Sequence, residues 1–153
     1  VRTDMSCPAG QFLDALKRGV WEPDPDAESI PSDEQLEDWA CLLNAIKFWA
    51  NEGEPQYTRT VEYLRSGIWE FKRGAKRLSF YDTDGNGSYT EKRKLQHFSE
   101  SEHPDSDYWY IPDFDQQIRL GHAFPKVGQK TEPDDLQDAE VVREEDLEHD
   151  RQE

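Results

Sequence analysis

Lys72, Arg73, Lys76 and Arg77 fall within six residues of one another around Gly74. Cations so spaced can clamp phosphate oxygens, and a guanidinium such as that of Arg77 can do so with two prongs. A solvated hairpin rim has the same composition, so both readings stand. His122 lies between Gly121 and Ala123, which are small enough to let a phosphate or a base approach. Its imidazole is suited to general acid or base work near neutrality, though a lone histidine also serves as a structural group bonded to backbone. Tyr81 can stack on a base or simply pack. Lys126 and Lys130 follow the histidine segment and suit phosphate contact. Together these residue types fit acid–base work beside a bound phosphate.

One metal pattern is present in part. Asp82-Thr83-Asp84-Gly85-Asn86-Gly87-Ser88 supplies oxygen ligands at positions 1, 3 and 5 of a calcium loop and glycine at 6, but position 12 is Arg93 rather than glutamate. A tight turn needs the same residues. The expectation is a plain turn, with no metal site and no cofactor. Cys7 and Cys41 are far apart and outside any Cys-x-x-Cys pair, which reads as two inert thiols.

The elements that must position these groups follow from periodicity. Residues 8–19 read as a helix, with Pro8 at its start, Phe12, Leu13 and Leu16 on one face, and Gly19 as its stop. Ser32 followed by Gln35 reads as a capping box. Leu36, Trp39, Leu43, Ile46 and Ala50 then recur at helical spacing up to Gly53. After Pro55 the pattern alternates: Ile68–Lys72 and Lys76–Tyr81 read as strands joined through Arg73-Gly74-Ala75, and Ile118–Phe124 as a third. On a regular strand Leu120, His122 and Phe124 would share one face. Residues 82–115 form a long insertion whose Tyr108–Ile111 stretch adds a strand or packs as a satellite. Residues 133–148 read as a terminal helix, leaving 149–153 as an acidic disordered tail. The whole of 1–148 reads as one α+β domain: a small twisted antiparallel sheet with helices on one face, and Asp33–Ala50 covering it.

The net charge is −16, unevenly spread. Residues 57–98 carry 9 basic and 5 acidic side chains, whereas residues 132–153 carry 2 and 11. The average field repels nucleic acid, and only the middle segment offers a local basic surface. No basic stretch leading into an apolar one is visible at the N-terminus, and no segment suits a membrane span, so a cytoplasmic location away from the membrane is expected.

Two segments carry a family pattern. One is Glu62-Tyr63-Leu64-Arg65-Ser66-Gly67-Ile68-Trp69-Glu70-Phe71-Lys72, followed by Arg77-Leu78-Ser79-Phe80-Tyr81. The other is Leu120-Gly121-His122-Ala123-Phe124-Pro125-Lys126, then Gln129-Lys130-Thr131 and Pro133. In order and separation they resemble the phage-type, HigB-like branch of the RelE/ParE toxin superfamily, with residues 58–139 as its compact core. The resemblance implies the toxin of a type II toxin–antitoxin system, an mRNA endoribonuclease that cleaves without a metal by activating a 2′-hydroxyl, acting alone or with the ribosome, and a helix-turn-helix antitoxin partner. It implies His122, Arg77 and Lys72 as catalytic groups, with Arg73, Lys76, Tyr81, Lys126 and Lys130 binding substrate. A non-catalytic binding relative and a ParE-like topoisomerase inhibitor remain as alternatives.

Overall fold

The computed structural model describes residues 1–57, 59–114 and 116–152. Thr58, Asp115 and Glu153, which bound the expected core, insertion and tail, lie outside the described residues. Helices α1 (Pro8–Arg18) and α2 (Asp33–Glu52) come first. Strands β1 (Val61–Arg65), β2 (Ile68–Arg73), β3 (Lys76–Thr83), β4 (Tyr89–Thr90) and β5 (Gln117–Pro125) follow, and then helix α3 (Pro133–Gln152). The product is a small α+β domain with helices packed against a curled antiparallel sheet.

β3 is the spine of the sheet. It pairs antiparallel with β2 through Trp69↔Phe80 and Phe71↔Leu78, and with β5 through Leu78↔Ala123 and Phe80↔Leu120. At Asp82 and Thr83 it pairs with both β4 and β5, so β4 prolongs the β2 side and β5 forms an edge. The three strands predicted from alternation therefore lie in one sheet. β1 and β4 are additional, and both are too short or too irregular to show a clear period.

Alternate residues of β2 and β3 divide the molecule into layers. Trp69, Phe71, Leu78 and Phe80 face α1 and α2, where they join Phe12, Leu16, Leu42 and Trp49 in the main core. Trp49 meets Phe80 edge-on at 5.4 Å, and Phe71 stacks on Phe80 at 4.3 Å. The insertion closes this core rather than looping free: Phe114 packs on Trp49 and Trp69, and Tyr110 stacks on Trp69.

The opposite face carries α3. Tyr81, one residue beyond Phe80, donates its hydroxyl proton to Asp146 of α3, and Arg119 bonds the same carboxylate at 2.9 Å. Helices thus cover both faces, not the single face expected. The buried stripe of α3 includes Arg143 and Asp146 beside Ala139, Val142 and Leu147, which blurs the apolar period that would mark its packing face in sequence. Arg143 caps the β1–β2 turn through the Ser66 carbonyl at 2.6 Å and lies 3.9 Å above the Tyr89 ring. α3 also continues past the expected end at 148. Asp150 accepts from Arg119 and Arg151 donates to the Gly87 carbonyl, so residues 149–152 are held as helix rather than as a tail.

The expected capping box at α2 is replaced. Ser32 makes no side-chain cap bond, and Gln35 is fully buried. Its amide accepts from the Trp21 N–H and donates to the Trp21 carbonyl and to Asp24, each at 2.9 Å. Buried Trp21 and Asp24 have polar groups to satisfy, and that need outweighs the helix terminus. Of the Asp82–Ser88 segment, Asp82 and Thr83 end β3 and the rest is a turn in which the Asp84 carboxylate accepts from the Asn86 and Ser88 N–H groups. Cys7 and Cys41 are separate free thiols.

Candidate functional site

A bulge in β5 decides where His122 points. Leu78 pairs with Ala123 and Phe80 with Leu120, so Gly121 and His122 together stand opposite Ser79. Leu120 and Ala123 both pack toward the α1–α2 core, while His122 stacks on Phe124 at 5.4 Å and reaches Asp135 of α3. The strict alternation expected for this strand, with Leu120 and His122 on one face, is therefore broken, and the extra residue turns His122 to the α3 side. Ser79 Oγ locks the bulge by accepting the His122 N–H at 2.7 Å. A Cβ on residue 121 would lie 2.7 Å from that same oxygen. Rotating the Ser79 hydroxyl away would break the bond to His122. Gly121→Ala is expected to cost about 1–3 kcal/mol, as overpacking does, measured by urea unfolding; an unchanged midpoint would show the bulge to be soft.

The same face of β2 and β3 carries Glu70, Lys72, Arg77 and Ser79. Glu70 pairs with Ser79 on one side and with Glu62 of β1 on the other. It is fully buried, and neither carboxylate oxygen accepts a hydrogen bond among the described residues. Burial pushes its pKa up to about 7, against the opposing pull of the Arg77, Lys126 and Lys72 charges. Arg77 Nε stands 3.5 Å from Glu70 Oε1, and its Nη1 donates to the Gly74 and Lys76 carbonyls. Glu62 moves the other way. Burial opposes the shift, but the Lys72 ammonium at 2.9 Å holds this carboxyl below its ordinary range. Two carboxylates on adjacent strands thus have opposite tendencies, the arrangement that separates a proton-transfer group from a fixed anion.

The predicted residues fall into two groups. Lys72, Arg77, His122 and Lys126 attend the Glu70 face, Lys126 by its charge on Glu62 and Glu70. His122 and Glu70 lie on the same row, two strand spacings apart, or about 10 Å between Cα atoms, with Ser79 between them. Lys76 and Arg73 belong elsewhere. Lys76 is 2% exposed on the α2 side, where it bonds Asp24 at 3.0 Å and Asp38 at 2.8 Å. Arg73 pairs with Asp38 at 2.9 Å. Tyr81 is sealed beneath α3, and burial together with its bond to Asp146 raises its pKa. Lys130 is exposed beyond the end of β5.

Sequence reasoning passed over Glu70 and Glu62. A signal was available: Ile68-Trp69-Glu70-Phe71 places one acid inside a run that buries both faces, and an acid there must be neutral or paired. Comparison with protein-family models, with curated proteins and with solved structures finds no match.

Proposed function

We propose that the chain is a RelE/ParE-type toxin that cleaves mRNA without a metal, with Glu70 as the general base. The observation that carries this reading is a wholly buried carboxyl whose pKa is pushed up to about 7, beside an arginine, on the sheet face that also holds His122. A base poised near neutrality is what 2′-hydroxyl activation requires. In this reading a Glu70 oxygen takes the 2′-hydroxyl proton and the 2′-oxygen bonds to phosphorus. The bond to the 5′-oxygen breaks, and His122 supplies that oxygen with its proton. The products are a 2′,3′-cyclic phosphate and a 5′-hydroxyl. Arg77 and Lys72, now turned onto Glu70 and Glu62, swing to the phosphate and uncover Glu70 as they do so. Lys126 and Lys130 track the flanking backbone. The partner expected to silence it is a helix-turn-helix antitoxin.

A specific observation favours the binding-only alternative. Lys72, Arg73, Lys76, Arg77 and His122 each already face a carboxylate. Purified protein, with RNA alone and with ribosomes, both in EDTA, separates the readings. Cleavage leaving 2′,3′-cyclic ends is expected. Intact RNA from a folded protein would favour a binding relative, and inhibition of DNA supercoiling would identify topoisomerase as the target.

A further inference from the structure

We infer that His122, Asp135 and Asp138 form a binding site for one divalent transition-metal ion, with zinc the preferred occupant. One ligand atom from each of the three lies within 4.8 Å of the others, and His122 Nε2 stands 3.0 Å from Asp135 Oδ1. The imidazole is held in place by its stack on Phe124 and by the Ser79 bond to its own backbone N–H. Asp135 and Asp138 are three residues apart on α3, so both project from one side of the helix toward β5.

Charge distinguishes these two aspartates from the α3 acids farther along the helix that meet the sheet. Glu140, Asp146 and Asp150, further along α3, are each matched by an arginine from the sheet: Arg65 for the first and Arg119 for the other two. Asp135 and Asp138 have no lysine or arginine partner among the described residues, and the group they face is an imidazole. A cation would balance the two carboxylates of this cluster. The nitrogen ligand selects its class, because magnesium and calcium favour all-oxygen shells whereas zinc accepts imidazole and carboxylate together. Zinc also stands above manganese and iron in intrinsic affinity for such sites. Ligand atoms on one zinc ion lie about 3–4 Å apart, so a small rotation of the exposed Asp138 side chain closes the set. Three protein ligands leave a coordination position for water. A bound ion would tie the start of α3 to the β5 edge. It would also take His122 Nε2 out of proton transfer, a consequence that rests on the cleavage reading; the site itself does not.

Isothermal titration of the metal-stripped full chain with zinc, and separately with manganese, tests the site without RNA. One equivalent of zinc is expected to bind, more tightly than manganese. His122→Gln and Asp138→Asn should each weaken zinc binding at least ~10-fold, since even outer-shell losses have effects of that size. Asp138 is exposed, so its variant keeps the fold. Cobalt added to the wild type should broaden the His122 ring resonances before those of His97, His103 and His149. Absence of stoichiometric binding, or undiminished affinity in either variant, would overturn the proposal. Zinc binding that leaves RNA cleavage untouched would uphold the site and remove only the proton-transfer role of His122.

Discussion

Glu70→Gln is expected to lower RNA cleavage at least ~100-fold, the usual cost of losing a general base, while leaving the protein folded and more stable in mild alkali. The second half of that expectation follows from linkage. The folded-state pKa of Glu70 is raised from 4.5 to about 7 by burial. A carboxyl shifted in this direction favours folding below its unfolded pKa, and the advantage is lost as pH rises through the folded value. Each pKa unit corresponds to about 1.4 kcal/mol, so roughly 3 kcal/mol of stability drains away between pH 4.5 and pH 7. Glutamine carries no charge at any pH and removes this loss. Urea unfolding of wild type and variant at pH 5 and pH 8 should therefore diverge only at the higher value. Wild-type cleavage, which needs the ionised base, should rise through pH 7 in the same range. A variant that cleaves as well as the wild type would place the base elsewhere. A variant no more stable at pH 8 would show that Glu70 is already ionised and solvated.

Lys76→Ala is expected to destabilise the domain by about 3–5 kcal/mol, the range for removing one member of a buried ion pair, with no effect on RNA affinity per folded molecule. The ammonium lies between Asp24 and Asp38 beneath α2. Without it, Asp24 would remain buried with no cation beside it, held only by the Gln35 amide and the Asp26 N–H. The pH dependence has two limbs. Burial raises the Asp24 pKa, but the bonds from Gln35 and Lys76 outweigh it and hold the carboxyl below its ordinary value. Stability from this group is present above the unfolded carboxylate range and is lost as pH falls through the lowered pKa. For Lys76 burial acts downward and the bonds to Asp38 and Asp24 prevail, so its pKa is raised. That contribution is complete below the unfolded lysine pKa and is lost as pH climbs through the folded one. The variant should lack the alkaline limb and show a weaker acid one, because the Gln35 and Asp26 bonds to Asp24 remain. A loss below about 1 kcal/mol, typical of an exposed pair, would return Lys76 to the hairpin rim that its place in the sequence suggested.

Periodicity determined the outline by itself. The α1 and α2 helices, the β2–β3 hairpin and the β5 strand were legible because each carries an apolar face whose period matches its own backbone, and burial of that face is the main driving force. Lys72, Arg77, His122 and Lys126, which come from the two resemblance segments, gather on one side of the sheet. Tertiary structure decided which cations face outward. Lys72, Arg73, Lys76 and Arg77 are equivalent as sequence, yet strand alternation and an acidic pair, Asp24 and Asp38, send Lys76 inward to a buried partner. It also decided the direction of His122, because a bulge arises from pairing with Ser79 across 43 residues and leaves no mark on the local pattern. The pKa of Glu70 is likewise a property of packing: burial by two strands and the distance to Arg77 set it, and neither quantity exists along the chain. Asp135 and Asp138 reach His122 only because α3 crosses the second face of the sheet, a placement made by Tyr81 and Arg119 meeting Asp146 and Asp150 and by Arg143 reaching the Ser66 carbonyl, α3 side chains that look, in sequence, like a solvated face.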